Sequence, residues 1–232
     1  MSQRKRKDKE REFEGKRPED IEKEIQAIKE EMRSIKDRME CPGDSLEPKM
    51  NQSGLKELRI CRERLSAAKE ALRSAGVTGH QDSADARSQE LLDNLPFFST
   101  LTFEIGGYFG GYKTYIIEKA DNSDHDGAIT YRNEDYGISK IGKPGYTAVP
   151  SVDTVEKLIG WLKDMHIDEW MPDYRPERFG MSVMDGTQWS LKIDFDNGHA
   201  AWESCGNNSY PYNFRKLRTL LESQGCIRPR RS

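Results

Sequence analysis

Five acids lie close together, Asp164, Asp168, Glu169, Asp173 and Glu177, and they flank Trp170 and Tyr174. Two carboxylates beside aromatic rings are what a glycoside hydrolase uses, one as general acid and one as nucleophile or base. An aromatic-anchored loop has the same composition, so a hydrolase using the acids at 164–177 is a minor alternative. The histidines are His80, His125, His166 and His199. A nucleophile needs a base within hydrogen-bond reach, and no G-x-S-x-G, H-E-x-x-H or P-loop supplies that arrangement. Asp124-x-Asp126-Gly127 is close to the start of a calcium loop, but it lacks the spaced oxygen ligands and the terminal Glu. Asp, Asn, Ser and Gly at 121–127 are also the residues of a hairpin turn. The glycine pairs 106–107 and 110–111 lack the helix and lysine of a phosphate cradle, and they read as a tight hairpin. Cys41, Cys61, Cys205 and Cys226 form no C-x-x-C. A zinc site is not expected, and the thiols read as free in a reducing compartment. The expectation is no catalytic residue, no metal and no cofactor.

The densest pattern of demanding residues runs from Asp185 to Phe214. Asp185-Gly186 and Asn197-Gly198 are turn dipeptides at the ends of a strand. Between them Trp189, Leu191, Ile193 and Phe195 alternate with Ser190, Lys192 and Asp194, so the two sets take opposite faces. Trp202 falls on the next strand, near Trp189. Gly206 and Asn207 tolerate left-handed backbone, and Pro211 opens a last helix. The structural reading is that this segment locks the helix to the sheet. The functional reading is a polar, aromatic groove lined by Asn207, Asn208, Tyr210 and Tyr212, with Trp170 and Tyr174 as further binding candidates.

The elements that must hold these residues fall in two regions. Over 18–40, Ile21, Ile25, Ile28, Met32, Ile35 and Met39 step by 4, 3, 4, 3 and 4. That is a coiled-coil-like heptad seam. A second helix over about 54–75 carries Leu58, Cys61, Leu65, Ala68 and Leu72, and Gly76 is a natural stop. The two read as an antiparallel hairpin over 18–76. So thin a seam buries little, so Ile21, Ile25, Ile28, Met32, Ile35, Met39, Leu58, Leu65 and Leu72 are expected to drive self-association into a homo-oligomer.

Residues 77–90 are polar and aperiodic and read as a linker. Every Trp, and every Phe except Phe13, lies beyond residue 95, so the aromatic core belongs to 91–226. There, short alternating segments at 101–105, 112–119, 128–132, 180–184, 188–195 and 199–204 read as strands. Helices are expected after Ser151 or Asp153 and over about 212–224. The fold class is α+β, an antiparallel sheet with two helices on one face behind a helical hairpin.

The net charge is −3, with 33% charged and 34% hydrophobic residues in 232. Charge is uneven: residues 1–17 hold eight Lys/Arg against four acids, and Arg228, Arg230 and Arg231 close the chain. Both ends, 1–17 and 227–232, read as basic disordered tails that can touch phosphate. A nucleic-acid or nucleotide-binding protein is therefore the second reading of function. No apolar leader and no run of 18 apolar residues is present, so a cytoplasmic protein without a membrane segment is expected.

Over 100–224 the chain resembles a group of uncharacterised bacterial proteins, of Firmicutes type and their mobile elements. They share D-G-x-x-W and G-x-N-x-Y-P-x-N-F, here Asp185-Gly186, Trp189, Gly206, Asn208, Tyr210-Pro211 and Asn213-Phe214. Trp170, Tyr174 and the Gly106–Gly111 hairpin belong to the same pattern. The resemblance implies kinship, and no activity or catalytic residue comes with it. The function expected is a non-enzymatic interaction protein that binds a protein partner through its α+β domain.

Overall fold

The computed structural model describes residues 11–42, 48, 51–77, 79, 81–107, 110–120, 127–136, 149–183 and 185–225. The chain divides into two compact units, 1–41 with 49–82, and 42–48 with 83–232.

The first unit is a helical pair. Helix α1 spans Pro18–Glu40, with Pro18 at its first position and Glu19 and Asp20 in its first turn. Pro has no amide hydrogen to lose there, and the acids face the positive end of the helix dipole. Helix α2 spans Gln52–Ser74, and the Asn51 side chain caps it by accepting from the Gly54 amide at 3.0 Å. A β-carbon on Gly54 would stand 2.3 Å from Met39 Sδ. Ile21 and Ile25, by contrast, share a cluster with Ala68 and Leu72. The start of one helix therefore meets the end of the other, so the pair is antiparallel.

The heptad seam is filled within one chain. Ile21, Ile25, Ile28, Met32, Ile35, Met39, Leu58 and Leu72 are buried and Leu65 is half-buried. Their burial removes the argument for self-association, because the apolar stripe is already covered. Phe13 also joins this unit. A short 3-10 turn, Arg11–Phe13, brings its ring against Ile21, Ile25, Ala68 and Leu72 at 2% exposure. Residues 11–17, expected as part of a disordered tail, are therefore ordered, with Lys16 paired to Glu24 and Arg17 to Asp20. Residues 1–10 and 226–232 lie outside the described residues, and so does the expectation that they are disordered or touch phosphate.

The long run of the second unit, from residue 83, starts with helix α3, Ser83–Asn94, where a linker over 77–90 was expected. Among the described residues seven strands follow: β1 Phe98–Gly107, β2 Gly111–Lys119, β3 Ala128–Tyr136, β4 Val149–Thr154, β5 Asp173–Tyr174, β6 Gln188–Phe195 and β7 Trp202–Asn207. They form one sheet in the order β4-β3-β2-β1-β6-β7-β5. All described pairings are antiparallel except the short β5–β7 pair. Helix α4, Val155–Asp164, lies between β4 and β5 and is capped by Thr154 rather than Ser151 or Asp153. Helix α5, Phe214–Gly225, closes the described chain. Of the strand expected over about 180–184, the described residues 181–183 are irregular.

The register explains the core. Tyr131, Ile117, Leu101, Ile193 and Trp202 are aligned across five strands, and the next row runs Tyr115, Phe103, Leu191 and Ser204. These residues are buried on one face with Leu91 of α3, Leu158 and Leu162 of α4, and Phe214, Leu217 and Leu221 of α5. Helix α3 thus joins the two expected helices at the core among the described residues. Alternation puts Glu104, Ser190, Lys192, Glu203, Cys205 and Asn207 on the opposite face, and all six are exposed. A sheet with one dry and one wet face is the usual antiparallel solution.

Candidate functional site

The residues expected to line a groove are mostly inside the protein. Trp170, Tyr174, Asn208, Tyr210 and Tyr212 are all 6% exposed or less. Only Asn207 is exposed, at the end of β7 on the open face of the sheet. The reason is visible in the polar contacts. Trp170 Nε1 donates to Asn213 Oδ1 at 2.9 Å, and Asn213 Nδ2 donates to the Met165 carbonyl. Trp189 Nε1 donates to the Ser209 carbonyl at 2.8 Å. The Met171 amide donates to the Tyr174 hydroxyl at 3.1 Å. Trp189 stands at the centre of the rings, with centroids 5.7 Å from Trp170, 5.7 Å from Tyr174 and 5.0 Å from Phe214. A buried indole usually finds an acceptor, and Asn213 serves Trp170 while the Ser209 carbonyl serves Trp189.

Asn208 has a second structural task. It sits at φ +50° with no exposure. Its amide donates to the Thr187 carbonyl at 2.9 Å, while its Oδ1 accepts from the Thr187 amide at 2.9 Å. Its Nδ2 donates to Asn207 Oδ1, also at 2.9 Å. One asparagine thereby ties the Asp185-Gly186 turn to the end of β7. Gly206 is bare for a related reason: a β-carbon there would stand 2.4 Å from Trp189 Nε1. The run from Asp185 to Phe214 is a lock between turn, strand and helix, as the structural reading of the sequence has it.

The acids at 164–177 are not gathered for general acid–base work. Asp168 Oδ2 accepts from Ser88 Oγ of α3 at 2.6 Å. Asp173 Oδ2 pairs with Arg175 Nε at 2.5 Å. Glu169 Oε1 lies 3.9 Å from His166 Nδ1. Asp164 and Glu177 are exposed. Cys205 is exposed on the wet face, yet partial burial and then the Asp173 carboxylate push its thiol above the ordinary range. A raised thiol is a poor nucleophile at neutral pH. Cys61 is buried, and burial followed by Glu31 raises its thiol too. Among the described residues no group of three His, Cys, Asp or Glu side chains is placed to hold a metal ion. The candidate calcium loop at 121–126 lies outside the described residues.

Among the described residues of the second unit, two surfaces stand open. One is the open face formed by β1, β6 and β7. Across it Glu104 is aligned with Ser190 and Ser190 with Cys205, while Thr102 is aligned with Lys192 and Lys192 with Glu203. Lys192 Nζ also pairs with Asp194 Oδ1 at 2.8 Å, and that hydrogen bond holds the ammonium above its ordinary range. The other is a cleft of about 550 Å³ at the glycine-rich end of the sheet, bounded by the β1–β2 hairpin, residues 185–187 and Arg218 of α5. Sequence reasoning singled out neither. It sought demanding residue types, and those types went to the core.

No described helix is long and apolar enough to cross a membrane. No protein-family model, no curated protein and no solved structure matches the chain.

Proposed function

We propose that this chain is a non-enzymatic binding protein that presents the open face of its sheet to a protein partner. One observation carries the reading. Glu104, Ser190, Lys192, Glu203, Cys205 and Asn207 stand exposed side by side on three neighbouring strands whose other face is the core of the unit. Such a platform is rigid, because every side chain on it alternates with a buried one. Rigid, mixed-charge surfaces favour specificity and fast encounter over raw hydrophobic affinity. The acids and thiols that an enzyme would use are separated or raised, which favours binding over catalysis.

The test is a photoreactive amino acid placed at position 190 in the cells that make the protein. A single protein crosslinked from position 190, and not from exposed Arg59 on the helical unit, supports the reading. The adduct should vanish when Lys192→Glu and Glu203→Lys are added. Crosslinks that are equal from both positions, or that survive the charge reversal, would overturn it.

A further inference from the structure

The open face of the sheet mixes charges without balancing them. On β1, β2, β6 and β7 the alternation that carries Ser190 and Cys205 also carries Glu104, Glu118, Asp194 and Glu203, against Lys192. Strand β3 extends the rows with Arg132 opposite Ile116 and Glu134 opposite Thr114, one of each sign, so the acidic excess stands. Lys192 is already engaged, because its Nζ pairs with Asp194 Oδ1 at 2.8 Å. Glu203 is aligned with Lys192, yet among the described residues its carboxylate has no ion-pair partner. Glu104 accepts from the Thr114 hydroxyl at 3.4 Å, and among the described residues it too has no cationic partner. Glu104 and Glu203 are both exposed.

These acids are spread out rather than gathered. Glu104 is on β1 and Glu203 on β7, with β6 between them. Neighbouring strands lie about 4.8 Å apart, so the two backbones are separated by roughly 10 Å. Among the described residues no three such side chains come together around a metal position. The floor between the two acids is low: Thr102 and Ser190 flank Lys192 and Glu104 in the register, and Thr114 beside Glu104 is only 7% exposed. Short side chains leave room for long ones from outside. Lys and Arg have the matching build, an apolar stem that lies along a surface and a charged head beyond it.

We infer that the partner meets this face with a basic segment, whose Lys or Arg heads reach Glu104 and Glu203 and whose stems lie over Thr102 and Ser190. The inference rests on the open face being the binding surface, and it names the chemistry of what binds there. At the spacing of the two acids, two basic residues match the pair better than one. Lys192 repels such a segment, so it fixes where the two heads lie, on either side of its own ammonium. Attraction between opposite charges speeds encounter. It is screened over about 8 Å at physiological salt, so binding weakens as salt rises.

The experiment uses the full chain, amide NMR and three probes: a peptide of alternating Arg and Ser, the same peptide with Glu for Arg, and spermine. The Arg peptide should shift the amides of Glu104, Ser190, Lys192 and Glu203, and the Glu peptide should not. Glu104→Gln and Glu203→Gln should each weaken the Arg peptide about threefold, and Lys192→Gln should tighten it about threefold. Glu30→Gln, exposed on the helical unit, should change nothing. Three outcomes would overturn the inference: no shift on the open face at low salt, spermine binding as tightly as the peptide, or affinities unchanged in both glutamate variants. A second measurement separates this inference from the reading beneath it. The segment crosslinked from position 190 in cells is mapped by mass spectrometry. A captured segment rich in Lys and Arg supports the inference. A single partner captured through a segment without that excess overturns it and leaves the open-face reading intact, whereas no specific capture removes both.

Discussion

The carboxamide of Asn208 fills the space that a β-carbon on Gly186 would need: that carbon would stand 1.9 Å from Asn208 Oδ1 and 2.2 Å from Nδ2. The two residues are 22 positions apart, and each explains the other. Gly186 is a glycine because Asn208 lies against it. Asn208 is an asparagine because its side chain must satisfy the Thr187 amide, and because Asn tolerates the left-handed backbone it adopts. A turn and a strand end are thereby fixed in one register.

Gly186→Ala should therefore destabilise the protein by about 2 kcal/mol or more, since the clash is with a fully buried side chain. Asn208→Ala should cost about 2–3 kcal/mol, because it leaves a partly buried amide without its acceptor and puts alanine at positive φ. Urea unfolding measures both. The double variant should cost less than the sum, because alanine at 208 frees the space that alanine at 186 invades. Strict additivity would mean that the two residues do not share that space.

Phe13 gives a prediction for the helical unit. Its ring is 2% exposed among Ile21, Ile25, Ala68 and Leu72. Phe13→Ala should lose about 3–5 kcal/mol from that unit. The loss should appear as an earlier melting step at 222 nm, where helix dominates, while the near-ultraviolet signal of the four tryptophans, all beyond residue 95, melts as before. The transition should not depend on protein concentration, because the seam is filled within the chain. A melting point that rises with concentration would restore self-association through Ile21–Met39.

Ser209 offers a change of the opposite sign. Its Oγ is buried, and among the described residues it has no hydrogen-bond partner. An unmade hydrogen bond costs about 1–3 kcal/mol of desolvation. Ser209→Ala removes that hydroxyl and leaves the backbone carbonyl that Trp189 uses. The variant should be as stable as the parent or more stable by about 1 kcal/mol. A clear loss in urea unfolding would mean that the hydroxyl is satisfied in solution, by water for instance.

What the sequence reveals follows from how far each signal travels. Helix α1 is legible to the residue because its heptad seam, Pro18 and the two acids are all local. Strand β6 is legible because Trp189, Leu191 and Ile193 alternate without a break. Helix α3 is not, because its apolar contacts come only at its end, from Leu91 and Leu92, and no period can be read from them. The burial of Trp170, Tyr174, Tyr210 and Tyr212 is hidden for a different reason. Their polar ends find partners such as Asn213, 43 residues from Trp170, and no local pattern shows whether a tyrosine or tryptophan has such a partner.

Cys205 supplies a pH dependence whose sign follows from its surroundings. Partial burial raises the thiol most, the Asp173 carboxylate adds to this, and Arg175 acts against it. Because the folded pKa lies above the unfolded one, the folded state holds its proton longer. The thiol's contribution to stability is thus fully present below the unfolded pKa and is lost as pH rises through the folded value. Alkylation by iodoacetamide, followed at the Cys205 peptide by mass spectrometry, should rise with pH along a curve displaced to higher pH than that of a free cysteine. Asp173→Asn should move the curve part of the way back, because it removes the second cause and leaves the first. Arg175→Gln should move it further up. A curve that coincides with free cysteine, or that shifts upward in Asp173→Asn, would show that the carboxylate does not face the sulfur in solution.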